Sequence, residues 1–112
     1  MIAQARRDFN AAEQWYRKSL EITERLGDKH GAARSYGQLG VIAGLSGNVL
    51  DSGQLLAKSI RAFLSTNDPH SAQSNAHNFM IFFAKATPND QKKLKAIWQQ
   101  AGLGEFPPPQ ED

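Results

Sequence analysis

The sequence contains no cysteine, which excludes disulfide scaffolds, thiolate zinc sites, iron–sulfur clusters and cysteine nucleophiles. It has no apolar run as long as a membrane span and no apolar signal-peptide core near its start. The sequence has 13 basic and 11 acidic residues, so neither sign of charge dominates. We therefore expect neither nucleic acid nor a membrane as a partner. The 112 residues suffice for one domain with a core and are too few for two.

The chain repeats itself at an offset of 40 residues. The identical pairs include Gln14/Gln54, Lys18/Lys58, Ser19/Ser59, Asp28/Asp68 and His30/His70. Apolar character recurs where identity is lost, as in Leu20/Ile60 and Leu39/Phe79. Such recurrence is expected of a repeated packing unit.

The period within each unit is helical, with apolar and small residues three and four positions apart. This spacing predicts an all-α fold with helices at 8–26, 29–46, 48–65, 69–86 and 88–101. Gly27 and Gly47 suit the left-handed position after a helix. Asp68 followed by Pro69 is typical of a helix start. The prolines at 107–109 cannot continue a helix, so we expect an extended or disordered tail.

Two motifs carry a family resemblance. They read Tyr36-x-x-Leu39-Gly40-x-x-Ala43 and Asp8-Phe9-x-x-Ala12-x-x-x-Tyr16-x-x-Ser19-Leu20. The chain from residue 1 to about 86 resembles tetratricopeptide repeats, in the long variant also seen in kinesin light chains and G-protein-regulator scaffolds. The resemblance implies a right-handed α-solenoid of antiparallel helix pairs, with units at about 1–27, 28–67 and 68–101. Its domain would span 1–104 with the last helix as a cap, followed by a Pro-rich acidic tail at 105–112.

The start of the chain aligns with the end of a helix, because Met1-Ile2-Ala3 matches Val41-Ile42-Ala43. We therefore expect the C-terminal part of a longer array, with an apolar face exposed at its N-terminal end. Self-association by stacking or exchange of helices is predicted there. The residues assigned to this contact are Ile2, Phe9, Tyr16 and Leu20.

No pattern in the sequence indicates catalysis. His70 and His77 lie two helical turns apart, about 10 Å along the axis, which is too far for easy shared coordination of a metal ion. Gly37, Gly40 and Gly44 are not a phosphate loop, because no strand precedes them, and close helix packing explains them better. We expect a cytoplasmic protein that is not an enzyme and has no catalytic residues, metal or cofactor.

The family resemblance implies a ligand groove lined by the first helix of each pair. Its positions correspond here to Arg34, Gln38, Val41, Ser74, His77, Asn78, Ile81 and Lys85. The expected function is binding of a peptide or helix of another protein. A self-associating fragment without a separate ligand, possibly a homo-oligomer, is the alternative. An RNA-binding helical repeat is a third and weaker reading.

Overall fold

The computed structural model describes residues 2–106, with side chains from residue 9 onward. These residues form five helices and no strand: α1 (Ile2–Leu26), α2 (Lys29–Leu45), α3 (Val49–Ser65), α4 (Pro69–Lys85) and α5 (Pro88–Gln100). The predicted all-α fold of packed helix pairs is confirmed. Only α1 departs clearly from its predicted bounds, because it begins at Ile2 and not at residue 8. Arg7 stands where the second unit has Gly47, so this segment lacks the residue that favours a left-handed turn.

Local chemistry at the helix ends explains why the other bounds were predictable. Gly27 and Gly47 have φ values of 74° and 90° and end α1 and α2. The side chains of Asp28, Asp68 and Thr87 accept hydrogen bonds from the backbone N–H groups of Gly31, Ser71 and Asp90. Each of these caps satisfies a donor that the first turn of a helix leaves unpaired.

The pairing of α2 with α3 depends on small residues at close approach. The Ser52 hydroxyl donates to the Gly40 carbonyl oxygen at 2.7 Å, and the Ser59 hydroxyl donates to the Ala33 carbonyl oxygen at 2.7 Å. Leu56 lies between these two contacts, fully buried against Gly40. A β-carbon on Gly40 would lie 2.7 Å from the Leu56 Cγ, so only glycine allows the two helices this distance.

The core lies among α2, α3, α4 and α5. Its buried members are Ala33, Leu56, Ile60, Phe63, Ala72, Phe79, Phe82, Phe83, Leu94 and Trp98. By contrast, none of the described side chains of α1 is buried, since this helix packs against α2 alone. The fold is therefore closed at its C-terminal end and open along α1.

The packed part of the chain continues past α5. The Phe106 ring lies 4.7 Å from that of Phe83 and 5.7 Å from that of Trp98, centroid to centroid. The Trp98 indole N–H donates to the Glu105 carbonyl oxygen at 3.3 Å. Ordered packing thus reaches two residues beyond the predicted boundary at residue 104. The rest of the predicted tail, 107–112, lies outside the described residues.

Two side-chain contacts join the repeat units. The Tyr36 hydroxyl donates to Glu24 Oε2 at 2.7 Å, and burial together with this carboxylate raises the pKa of Tyr36 to about 12. His30 Nε2 lies 3.0 Å from Asp68 Oδ2, so the start of α2 is tied to the start of α4. This histidine and the hydrogen bonds from Ser71 lower the pKa of Asp68 to about 2. Within the described residues, no helix is long and apolar enough to cross a membrane.

Candidate peptide-binding groove

An open groove of about 520 Å³ runs between α1, α2 and α4. Its lining includes Trp15, Tyr16, Ser19 and Thr23 from α1, Gly31, Arg34, Ser35 and Gln38 from α2, and Ser71, Ser74 and Asn75 from α4. We call this the central groove. Its walls mix aromatic, hydroxyl and amide groups, which can support both apolar contacts and hydrogen bonds to an extended chain.

The central groove uses the same repeat positions on α2 and on α4. The equivalent pairs at an offset of 40 residues are Gly31/Ser71, Arg34/Ser74 and Ser35/Asn75. Asn75 is held in place because its amide Nδ2 donates to the Ser71 carbonyl oxygen at 3.0 Å. A β-carbon on Gly37 would lie 2.7 Å from Asn75 Oδ1. Glycine at this position therefore lets α4 approach α2 closely.

The structure brings together three of the eight predicted groove residues. Arg34 and Gln38 from α2 and Ser74 from α4 line the central groove. His77 and Asn78 line a second cavity of about 590 Å³ along α4, which Ser74 shares. The two cavities are therefore neighbours that share one lining residue.

The remaining predicted groove residues line neither cavity. Val41 is half-buried and packs against the core. Ile81 and Lys85 are exposed further along α4. Val41 lies in the C-terminal half of α2, and Ile81 and Lys85 lie in the C-terminal half of α4. The central groove lies along the N-terminal half of α4. Ser71 and Asn75 line it there, although the sequence analysis did not predict them.

The central groove has one cation, Arg34, and one carboxylate, Asp28, in its lining. The exposed Arg34 forms no ion pair among the described residues. Asp28, at the end of the groove, accepts the backbone N–H of Gly31 at 2.9 Å. A guanidinium that is not already paired can bind a carboxylate through two parallel hydrogen bonds. The groove is therefore suited to a peptide that brings an acidic group to Arg34.

The predicted self-association residues lie on α1, and one of them, Tyr16, also lines the central groove. Phe9, Tyr16 and Leu20 are half-buried on α1, and the side chain of Ile2 lies outside the described residues. The most exposed apolar residues of α1 are instead Trp15, Ile22 and Leu26, which the sequence reasoning missed. Their spacing of seven and four was the available signal, since it places them on one helical stripe. Self-association stays a prediction.

A metal site was the other kind of site considered for the histidines of α4. The side chains described from residue 9 to residue 106 include no group of three His, Asp or Glu that could hold a metal ion. His70 and His77 line the same cavity on α4, without an acidic partner in its lining.

Comparison with known proteins identifies the family. No curated protein and no solved structure matches the chain significantly. A family model described as tetratricopeptide repeat matches residues 1–65, which is more than half of the chain and includes α1, α2 and α3. Repeats of this kind are scaffold-type modules that generally mediate protein–protein interaction. Together with the repeated helix pairs and their close glycine contacts, this match shows that the chain belongs to the tetratricopeptide repeat family.

Proposed function

We propose that this chain binds an extended peptide of another protein in the central groove, with an acidic group of the peptide placed against Arg34. The observation that carries the proposal is the convergence of Arg34, Gln38 and Ser74, from two different helices, on one open groove. Trp15 supplies an apolar wall on the opposite side. Such a mixture of one cation, several hydrogen-bonding groups and an aromatic surface fits a peptide better than a small molecule.

The peptide would continue along α4 past Ser74 towards His77 and Asn78. Ser74 lines both cavities, so the proposed path of the peptide runs from one to the other past this residue. The side-chain amide of Asn78 has donors and an acceptor, and it can therefore pair with the backbone of an extended chain. A cytoplasmic location belongs to the same proposal, and imaging of the tagged chain in cells would test it.

Selection from a random peptide library displayed on phage tests the proposal with the full 112-residue chain. Peptides that bind the chain are expected to lose affinity when Arg34→Ala or Asn78→Ala is introduced, by about 1–3 kcal/mol if the contacts are charged and desolvated. Fluorescence anisotropy of the labelled peptides gives the affinities.

Lys58→Ala is the matched control, because Lys58 is an exposed cation that lines a different pocket, on α3. This variant is expected to bind the selected peptides normally. If Arg34→Ala and Asn78→Ala bind as tightly as the unaltered chain, the groove is not the binding site. A library that gives no binder dependent on these two residues contradicts the proposal equally.

A further inference from the structure

A separate cleft of about 300 Å³ lies between α1 and α3, with α2 as its floor. It shares no lining residue with the central groove, and we call it the outer cleft. Leu39 and Ile42 belong to its floor and are almost fully buried. The polar side chains of its two walls are Glu13 and Arg17 from α1 and Asn48, Asp51, Gln54 and Lys58 from α3. The outer cleft thus combines an apolar floor with polar walls.

The corresponding space one repeat further along the chain is closed. At the offset of 40 residues, α3 takes the place of α1, and α5 takes the place of α3. The equivalent pairs are Glu13/Gly53, Arg17/Ala57, Gln54/Leu94 and Lys58/Trp98. Leu94 and Trp98 are buried, and the Leu94 side chain packs directly over Gly53. Small and apolar residues therefore close the one space, whereas polar residues line the other.

Helix packing differs accordingly at the two repeat positions. α5 packs directly against α3, whereas α1 and α3 do not pack against each other within the described residues. Apolar residues at the wall positions of the outer cleft would bury more surface, so the polar set is not explained by the packing of this chain. Polar groups that converge on a cleft with an apolar floor are typical of a site for a small ligand.

Two charged side chains of α3 in the outer cleft have no ion pair within the described residues. These are Asp51 and Lys58, since Arg17 pairs with Glu13 at 2.9 Å. Lys58 Nζ lies 5.5 Å from the centre of the Tyr36 ring, and this cation–π contact favours its position beside the cleft. Asp51 and Lys58 are seven residues apart on one helix, which places them about 10 Å apart along its axis.

The two walls of the outer cleft have the same polarity. α1 and α3 are each joined to α2 by a short loop and run antiparallel to it, so they run parallel to each other. In both walls the acidic residue precedes the basic one, as Glu13 precedes Arg17 and Asp51 precedes Lys58. The outer cleft therefore has an acidic end and a basic end.

We propose that the outer cleft binds a short free peptide of about three residues, with its ammonium group at Asp51 and its carboxylate at Lys58. An extended chain advances about 3.3–3.6 Å per residue, so three residues span the distance between the two charges. The volume of about 300 Å³ suits a ligand of this size. The half-buried Ala43 and Leu55 can contact an apolar middle residue, and the Gln54 amide can pair with the peptide backbone.

This site is independent of the peptide contacts proposed for the central groove. Arg34 and Asn78 line other cavities, and neither lines the outer cleft. Lys58 lines the outer cleft and not the central groove. Binding at the two sites therefore depends on different residues, and either proposal can fail without the other.

Nuclear magnetic resonance of the ¹⁵N-labelled chain tests the proposal with the tripeptide Ala-Leu-Ala as the probe. We expect saturable shifts of the backbone amide signals of Gln54 and Leu55, which line the outer cleft. The same tripeptide with an acetylated amino end, or with an amidated carboxyl end, has lost one of its two charges. Each of these blocked peptides should bind at least about ten-fold more weakly than the free one.

Exposed single substitutions then assign each charge of the ligand to its partner. Asp51→Asn should weaken binding of the free tripeptide by at least about ten-fold and leave binding of the acetylated one unchanged. Lys58→Gln should do the same for the free and the amidated peptides. Lys18→Gln is the matched control, because Lys18 is the repeat equivalent of Lys58 and is exposed on α1 outside the cleft. Lys18→Gln and Arg34→Ala should both bind the free tripeptide normally.

Several outcomes would overturn the proposal. These are the absence of saturable shifts, equal binding of the free and blocked peptides, or equal losses in Lys58→Gln and Lys18→Gln. A tripeptide blocked at both ends, with lysine first and glutamate third, separates a further case. If it binds and the free tripeptide does not, the occupant is a segment of a partner protein, and the proposal is wrong. The circular dichroism of each variant must match that of the parent chain.

Discussion

Replacement of Gly40 by alanine tests whether close approach of α2 and α3 holds the second repeat together. Alanine favours a helix over glycine by about 1 kcal/mol, so an open site would be stabilised. At Gly40 the new methyl group would meet Leu56 Cγ at 2.7 Å and the Leu56 backbone nitrogen at 3.2 Å. Leu56 is fully buried and its backbone belongs to α3, so neither contact can move aside easily. Overpacking of this kind costs about 1–3 kcal/mol, so after the gain in helix propensity we expect a net loss of up to about 2 kcal/mol.

A double-mutant cycle with Leu56→Ala makes the prediction sharper. Leu56→Ala alone removes a fully buried side chain and is expected to cost about 3 kcal/mol. In the double variant the methyl group on residue 40 enters the space left by Leu56, so the clash with Cγ is gone. The loss of stability in the double variant should therefore be smaller than the sum of the two single losses, by about 1 kcal/mol or more.

Urea unfolding followed by circular dichroism at 222 nm measures these free energies of unfolding. A loss of about 1 kcal/mol also lowers the melting temperature by about 4 °C in a domain of this size. Gln54→Ala, an exposed change two residues before Leu56, is the control and should have almost no effect. Stabilisation by Gly40→Ala, or additivity within about 0.5 kcal/mol, would refute the packing argument.

Two further predictions concern the contacts that join repeat units and close the core. The pKa of Asp68 is lowered to about 2 in the folded chain. Near pH 4 the unfolded chain binds a proton at this carboxylate and the folded chain does not. The free energy of unfolding should therefore fall as the pH drops from about 4 to about 2. His30→Ala removes the largest cause of the lowered pKa of Asp68, so the loss of stability in acid should become smaller. Urea unfolding at each pH measures this loss. An unchanged pH dependence of stability would contradict the role of the His30–Asp68 pair. Phe106→Ala should lower the free energy of unfolding by about 2 kcal/mol, because a half-buried ring against Phe83 and Trp98 is lost. Glu105→Ala, which keeps the carbonyl that Trp98 uses, is its control and should be near neutral, and equal effects of the two changes would show that the ring does not stabilise the core.

The helices could be predicted from sequence because their ends are decided locally. Gly27 and Gly47 adopt the left-handed conformation, and Asp68 caps α4 while Pro69 occupies its first turn. Each of these choices depends on a few neighbouring residues and hardly on the rest of the fold. The repeat offset supplied the long-range information, since equivalent residues of a solenoid make equivalent contacts.

The position of the groove could be predicted only in part. The family resemblance assigned Arg34, Gln38 and Ser74 to a groove, and these three residues line the central groove. It could not say how far along the helices the groove extends, because that depends on where α2 and α4 approach each other. A β-carbon on Gly44 would lie 2.5 Å from the ring of Phe82, so the two helices are in close contact near their C-terminal ends. The groove is therefore restricted to the N-terminal halves, away from Ile81.

The aromatic contact of Phe106 could not be predicted from the sequence because of the residues that follow it. Three prolines follow it directly, and composition alone then predicts an extended tail. The ring nevertheless lies among Phe79, Phe83 and Trp98. Burial of aromatic surface outweighs the entropy of ordering two residues after the last turn, because the receiving site is already formed by α4 and α5.

Ser19 and Ser59 show how one sequence feature acquires different meanings in different repeats. Both are serines at the same point of a helix, yet Ser59 is fully buried and donates to Ala33, while Ser19 is half-buried beside an open groove. Serine is a poorer helix former than alanine, so its use at this position is favourable only where its hydroxyl meets a partner. On α3 that partner is the backbone of a closely packed helix. On α1 the same serine lines the central groove, so the proposed peptide would supply its hydrogen-bond partner.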